Sequence, residues 1–224
     1  MSRYKLERIL LLLGPLAFPA FHLVLLVAVS RNPWFNFFVH AFSDLGGPKA
    51  SDPWVFNNGL IALGFMQCLY SLGLLARARS RGAAFACGLC FTAGVFLALI
   101  GVYPSGTKPH AFIAMWFYLQ ARMAMSALGL ALLVEGRRVP GALLLALGLL
   151  PLPLGYAVEI TVGWPSLAAV EYAGTIFIAG GSLVATLAHW SWEYPRLHRG
   201  ERERYRCRSE KFPFDRRRVI VNTH

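Results

Sequence analysis

The residues able to do chemistry are few, and they fall in five separated stretches of the chain. They are His40, Ser43 and Asp44, then Asn57, then Tyr103, Lys108 and His110, then Glu159, and finally Glu171. His40, Asp44, His110 and Glu171 are the right donor types for a zinc-like ion with water in an open position, the arrangement of a metal hydrolase acting on a lipid or amide. No His-x-x-x-His or comparable local pair supports that reading, and a lone histidine is more often a hydrogen-bonded interfacial residue. His40 and Asp44 are four apart, so they share a face if the segment coils.

A second chemistry is anion binding. Asp52-Pro53, Thr107-Lys108-Pro109 and Ser166 after Pro165 each read as a helix start, by a capping residue or a proline in the first turn. Three helix N-termini then point to one side, with Ser105, Thr107 and Lys108 nearby, and their free N–H groups suit an anion. Ordinary capping accounts for the same residues.

Arg122 is the one base inside an apolar stretch. A charge at the centre of a spanning helix costs about 2.5–3.5 kcal/mol on insertion scales, so a partner is expected. Glu159 or Glu171, with Gln67 and Gln120, are the groups placed to supply it, and a register-fixing ion pair is the plainer reading.

Other motifs carry less. Cys87 and Cys90 have the Cys-x-x-Cys spacing of thiol oxidoreductases, but with Gly88 between them they read as small residues for close helix packing. His22 and His189 stand at opposite depths and cannot form one axial pair for haem. Pro104-Ser105-Gly106 with His110 hints at a phosphatase, without the lysine and arginine cluster that chemistry needs. No cofactor is expected.

The elements that must position these groups are long and apolar. With 56% hydrophobic residues in 224 and a mean hydropathy of +0.50, the chain has too little polar surface for a soluble domain. A span needs about 20 mostly apolar residues, and spans are predicted near 7–29, 55–77, 83–103, 110–134, 139–162 and 167–190. Pro15 and Pro19 interrupt the first, Pro151 and Pro153 the fifth. The fourth has no matching proline, which speaks against an inverted-repeat transporter.

Of the 22 basic residues, 18 fall on one side of these spans, ten of them between Arg196 and Arg218. Only Arg31, Lys49 and Lys108 fall on the other. The positive-inside rule therefore predicts a multi-pass protein of the cell membrane with both termini cytoplasmic. The net charge of +11 lies largely in the tail and would favour an anionic leaflet. No module accompanies it that would bind nucleic acid. The longest connection, Ser30 to Trp54, is aromatic enough to lie at the interface, and Ser43-Asp44-Leu45-Gly46-Gly47-Pro48 within it is a turn signal.

Ser43-Asp44-Leu45-Gly46, Phe56-Asn57, Gly101-Val102-Tyr103-Pro104 and His110, taken together, resemble the family known as domain of unknown function 998. Its members are small, mostly archaeal and bacterial, multi-helix membrane proteins. The resemblance covers roughly residues 8–190, implies a six-helix bundle, and implies that the loop-side motif is the functional region. It brings no activity with it.

The expectation is an all-α bundle of six transmembrane helices over 1–192, followed by a basic tail over 193–224. An outward-facing polar pocket should lie between the second, fourth, fifth and sixth spans, under the loop from Trp34 to Pro53. Its expected role is to bind a lipid head group or small amphiphile, not to catalyse. A membrane-embedded metal hydrolase and an accessory subunit of a larger complex are the alternatives. Membrane lipids are the expected partners, with a membrane-protein partner or a second copy also open.

Overall fold

α1 (Arg3–Ser30) runs unbroken through Pro15 and Pro19, where an interruption was expected. Pro15 has no N–H to give the carbonyl of Leu11 four residues back. Thr186 fills the vacancy from another helix, its hydroxyl donating to that carbonyl at 3.1 Å. Neighbouring Ser and Thr side chains commonly supply freed backbone groups in this way where lipid offers none.

The computed structural model describes residues 3–190, with side chains from Tyr4. The basic tail, 193–224, lies outside the described residues. After α1 come a 3-10 turn (Phe42–Gly46), α2 (Pro53–Leu75), α3 (Arg81–Val102), α4 (His110–Val134), α5 (Arg138–Leu149), α6 (Pro151–Thr161) and α7 (Leu167–Trp190). Five of these helices are long and apolar enough to cross a membrane alone, and α5 with α6 meets the same test as one span bent by 41°. The described chain is thus an all-helical bundle of an integral membrane protein, with five continuous helices long and apolar enough to span and the bent α5–α6 pair beside them.

The break follows from Pro151 and Pro153, which lie in the first turn of α6 and cannot continue the ladder of α5. α6 leaves the bundle there and contributes no buried residue. α5, by contrast, packs closely on α4. A Cβ on Gly129 would come within 2.8 Å of the carbonyl of Gly141, and one on Gly141 within 2.9 Å of that of Gly129, so both positions must stay small.

Two apolar clusters fill the bundle. Leu11, Tyr70, Leu74, Cys87, Leu132 and Leu144 belong to the one at the arginine-bearing end. Phe42, Leu45, Phe56, Leu60 and Phe117 belong to the one at the loop end. The outside is apolar too, with Leu26 68% and Phe85 64% exposed, as a lipid-facing surface requires.

At the arginine-bearing end, polar contacts bind the helix ends together. Arg77 reaches Glu7 at 3.4 Å and donates to the carbonyl of His189 at 2.8 Å. Arg137 donates to the carbonyl of Ala188. Ser80 caps α3 by accepting from the N–H of Ala83 and donates to Glu135 at 2.7 Å. Cys87 and Cys90 are buried free thiols on the inner face of α3, and Gln67 donates to the sulfur of Cys90 at 3.0 Å.

Candidate functional site

The loop end is organised around the 3-10 turn. Asp44 makes that turn by accepting the N–H of Ala41 at 2.9 Å. Leu45, fully buried, pins it to the bundle by burial of an entire side chain, which contributes about 1.5–3 kcal/mol. Glu171, half-buried one turn into α7, accepts the N–H of Phe42 at 2.7 Å. The N–H and hydroxyl of Ser43 face the same carboxylate, and Asp44 is near enough to interact with it.

The motif residues do much of the positioning. Asn57 donates to the carbonyl of Gly46 at 3.0 Å, and a Cβ on Gly46 would strike the Asn57 side chain. A Cβ on Gly101 would in turn strike the carbonyl of Asn57. The turn, the start of α2 and the end of α3 can therefore meet only because both glycines lack a side chain. Tyr103 is exposed, and its carbonyl accepts from Nδ1 of His110 at 2.8 Å. That bond makes Nδ1 the donor, so the neutral imidazole presents Nε2 as an acceptor.

Two spaces adjoin this turn. The larger is a groove of about 1120 Å³ between α4, α6 and α7, present because α6 bends away. Asp44, His110, Arg122, Glu159 and Glu171 all line it. Its walls are apolar, with Met115, Leu152, Leu154, Tyr156 and Leu167 among them. The smaller is a half-open chamber of about 110 Å³ lined by α1, α2, α3, α4, α7 and the turn. Ser43, His110, Tyr118 and Glu171 line both, and so form the partition between them.

Arg122 lies in the groove wall without the expected partner. Its buried Nε has no hydrogen-bond acceptor, and among the described residues it forms no ion pair with Glu159 or Glu171. The two glutamines placed near it bond elsewhere, Gln67 to Cys90 and Gln120 by accepting from Thr92 at 3.3 Å. The physical reason is depth. Arg122 is twelve residues into α4, about 18 Å along its axis at 1.5 Å per residue, whereas Glu171 is only one turn into α7 and is engaged by the turn.

Other expected members stand apart. His40 faces its own loop, with Nδ1 accepting the N–H of Asn36 at 2.9 Å and its ring 5.1 Å from that of Trp34. It lines neither space. Among the described residues no three His, Cys, Asp or Glu side chains gather as a metal site would need, so His40, Asp44, His110 and Glu171 do not form one ligand set. Lys108 is exposed in the α3–α4 turn and lines neither space.

Of the expected helix starts, Ser166 is an ordinary cap and Asp52 is not. The N–H of Ala168 in α7 donates to the carbonyl of His40 at 3.0 Å, and that of Ala169 to Oγ of Ser166 at 3.1 Å. Ser166 itself donates to the carbonyl of Phe37. Asp52 has a left-handed backbone and no capping bond. Its carboxylate instead pairs with Arg31 at 2.6 Å, and the Arg31 and Trp54 donors hold its pKa below the usual 3.8. α2 does not border the groove; it borders the chamber, through Phe56, Leu60, Leu63 and Gln67.

Two phenols were missed by reading polar residues alone. Tyr118 donates to the carbonyl of Glu171 at 3.2 Å, and Tyr172 donates to Nε2 of His22 at 3.1 Å while Nδ1 of His22 donates to the carbonyl of Phe18. The available signal was a tyrosine inside an apolar helix, since a buried phenol needs an acceptor.

No curated protein and no solved structure matches the chain. One family model, described as a protein of unknown function (DUF998), matches residues 13–189. Its span takes in the turn, the groove and every bundle helix but the first residues of α1 and the last of α7, and the chain belongs to that family.

Proposed function

We propose that the protein binds a membrane amphiphile in the groove between α4, α6 and α7, with an anionic group of the ligand, a carboxylate or phosphate, meeting Arg122. The observation that carries this reading is a buried guanidinium nitrogen left without an acceptor in a groove with apolar walls. An anion placed in the groove meets the part of the guanidinium that lines it in a charge-assisted bond, and an acyl chain covers the apolar walls. Glu159 and Asp44, on the same walls, disfavour a ligand that is anionic along its whole length.

The proposed setting is a cell membrane with both termini cytoplasmic, by the distribution of the arginines. The loop end then faces outward and the groove opens sideways to lipid. Lys108, exposed in the α3–α4 turn, has no part in holding the ligand.

Native mass spectrometry of protein purified in neutral detergent tests the reading. A phospholipid or fatty acid should be retained, diacylglycerol should not, and Arg122→Met should lose the adduct. Equal retention by Arg122→Met, or no adduct on the wild type, would overturn it.

A further inference from the structure

The chamber behind the partition has a different chemistry from the groove. Six aromatic rings line it, Phe18 and Phe21 from α1, Phe42 from the turn, Phe56 from α2, and Phe117 and Tyr118 from α4. The rings of Phe21 and Phe42 are 5.9 Å apart and those of Phe117 and Tyr118 are 4.9 Å apart. No lysine or arginine lines the chamber. The single acid in its wall is Glu171, which forms no ion pair among the described residues. His110 beside it is held by its Nδ1 on the carbonyl of Tyr103.

Aromatic walls with one unpaired carboxylate suit a cation that is itself largely apolar. The negative faces of the rings attract such a cation, and removal from water strengthens the attraction. Size narrows the class. An apolar cavity of about 150 Å³ accepts benzene, a guest of six heavy atoms, so about 110 Å³ accepts one of roughly five. A tetramethylammonium or trimethylalkylammonium group has that size, whereas a guanidinium or bare metal ion would leave the rings unfilled or its own N–H groups and coordination sites unmet.

We propose that this chamber binds a small alkylammonium ion, with Glu171 supplying the opposing charge and the six rings the cage. The proposal does not depend on the ligand of the groove, because Ala17, Phe18, Phe56 and Phe117 line the chamber alone. The cation can be free, or it can be the head group of a choline lipid reaching past the partition of Ser43, His110 and Tyr118.

The test uses the full chain in phosphatidylglycerol nanodiscs, titrated with tetramethylammonium chloride at constant ionic strength while thermal unfolding is followed. A saturable rise in Tm, absent with sodium, is expected. Ala17→Leu fills the chamber from α1 and should abolish the response. Phe117→Leu keeps apolar volume but removes one ring, and should weaken binding about 5-fold, within the overall range for a cation–π contact. Glu171→Gln, which still offers an oxygen to the N–H of Phe42, should weaken it by about 10-fold or more.

No response from the wild type, or full responses from Ala17→Leu and Phe117→Leu, would overturn the proposal. Phe117→Leu decides the matter should Ala17→Leu not fold. Repeating the titration in phosphatidylcholine separates the two sources. Loss of the response there assigns the chamber to the lipid's own head group, and an unchanged response assigns it to a free cation. Retention of anionic lipid by Ala17→Leu in native mass spectrometry keeps the groove's result separate from the chamber's.

Discussion

Replacing Arg122 with methionine should stabilise the empty protein, which is the reverse of what a buried ion pair predicts. Arg122 sits about 18 Å along α4 from its start, close to the middle of a hydrocarbon layer about 30 Å thick. A charge at that depth costs about 2.5–3.5 kcal/mol on insertion scales. With Nε buried and without an acceptor, the protein offsets little of this. The side chain is only half-buried, however, so part of the charge is relieved through the open groove. A gain of about 1–2 kcal/mol for Arg122→Met is expected in neutral detergent. Added phospholipid should change the order, since a ligand at 100 times its Kd stabilises the protein that binds it by about 2.7 kcal/mol and the variant by much less. Thermal unfolding with and without lipid measures both. Destabilisation of the empty variant by about 3–5 kcal/mol, the cost of breaking a buried pair, would refute the reasoning. So would a non-additive cycle with Glu171→Gln or Glu159→Gln, which would restore the ion pair that the chain's residue types suggest.

Three further outcomes follow from named contacts. Glu171→Leu removes the acceptor of the Phe42 N–H, and an orphaned buried donor costs about 1–3 kcal/mol; hydrogen exchange at Phe42 and Ser43 should accelerate while that at α3 amides does not, and uniform acceleration would contradict a local role. Pro151→Ala with Pro153→Ala should reduce the 41° bend and bring spin labels at Met115 and Tyr156 closer together, so an unchanged distance would show that packing, not proline, sets the bend. Tyr70→Phe deletes the hydroxyl that donates to the carbonyl of Ser182 at 2.9 Å and should cost about 1 kcal/mol in unfolding free energy, with no effect on lipid retention, because Tyr70 does not line the groove.

The spans were readable because lipid demands long apolar runs, and the predicted limits near 83–103 and 110–134 differ little from Arg81–Val102 and His110–Val134. Proline was less readable. Pro15 and Pro151 look alike along the chain, yet one lies inside a continuous helix and the other begins a new one, and the difference rests on Thr186, 171 residues away from Pro15. The candidate site shows the same limit. Residue type marked His40 and His110 equally, but only the direction of each ring separates a loop contact from a cavity wall. Glu171 was marked for its charge, while its place against the turn depends on a bond to a backbone N–H 129 residues away. The groove itself could not be anticipated in shape, since it is the space left by the bend between α5 and α6. The aromatic chamber went unread because phenylalanines spread over four elements resemble ordinary core.

The bond from Thr186 to Leu11 also bears on how the protein is made. α1 leaves the ribosome well before α7, so the carbonyl of Leu11 is completed by a residue synthesised 175 positions later. Until then α1 carries an unsatisfied polar group that hydrocarbon penalises by several kcal/mol, and it must wait near water, lipid head groups or the insertion machinery. A chain truncated before α7 retains that defect permanently. The seam between α1 and α7 therefore acts as a check on assembly, distinguishing a bundle that has gained α7 from one that has not by a single hydrogen bond.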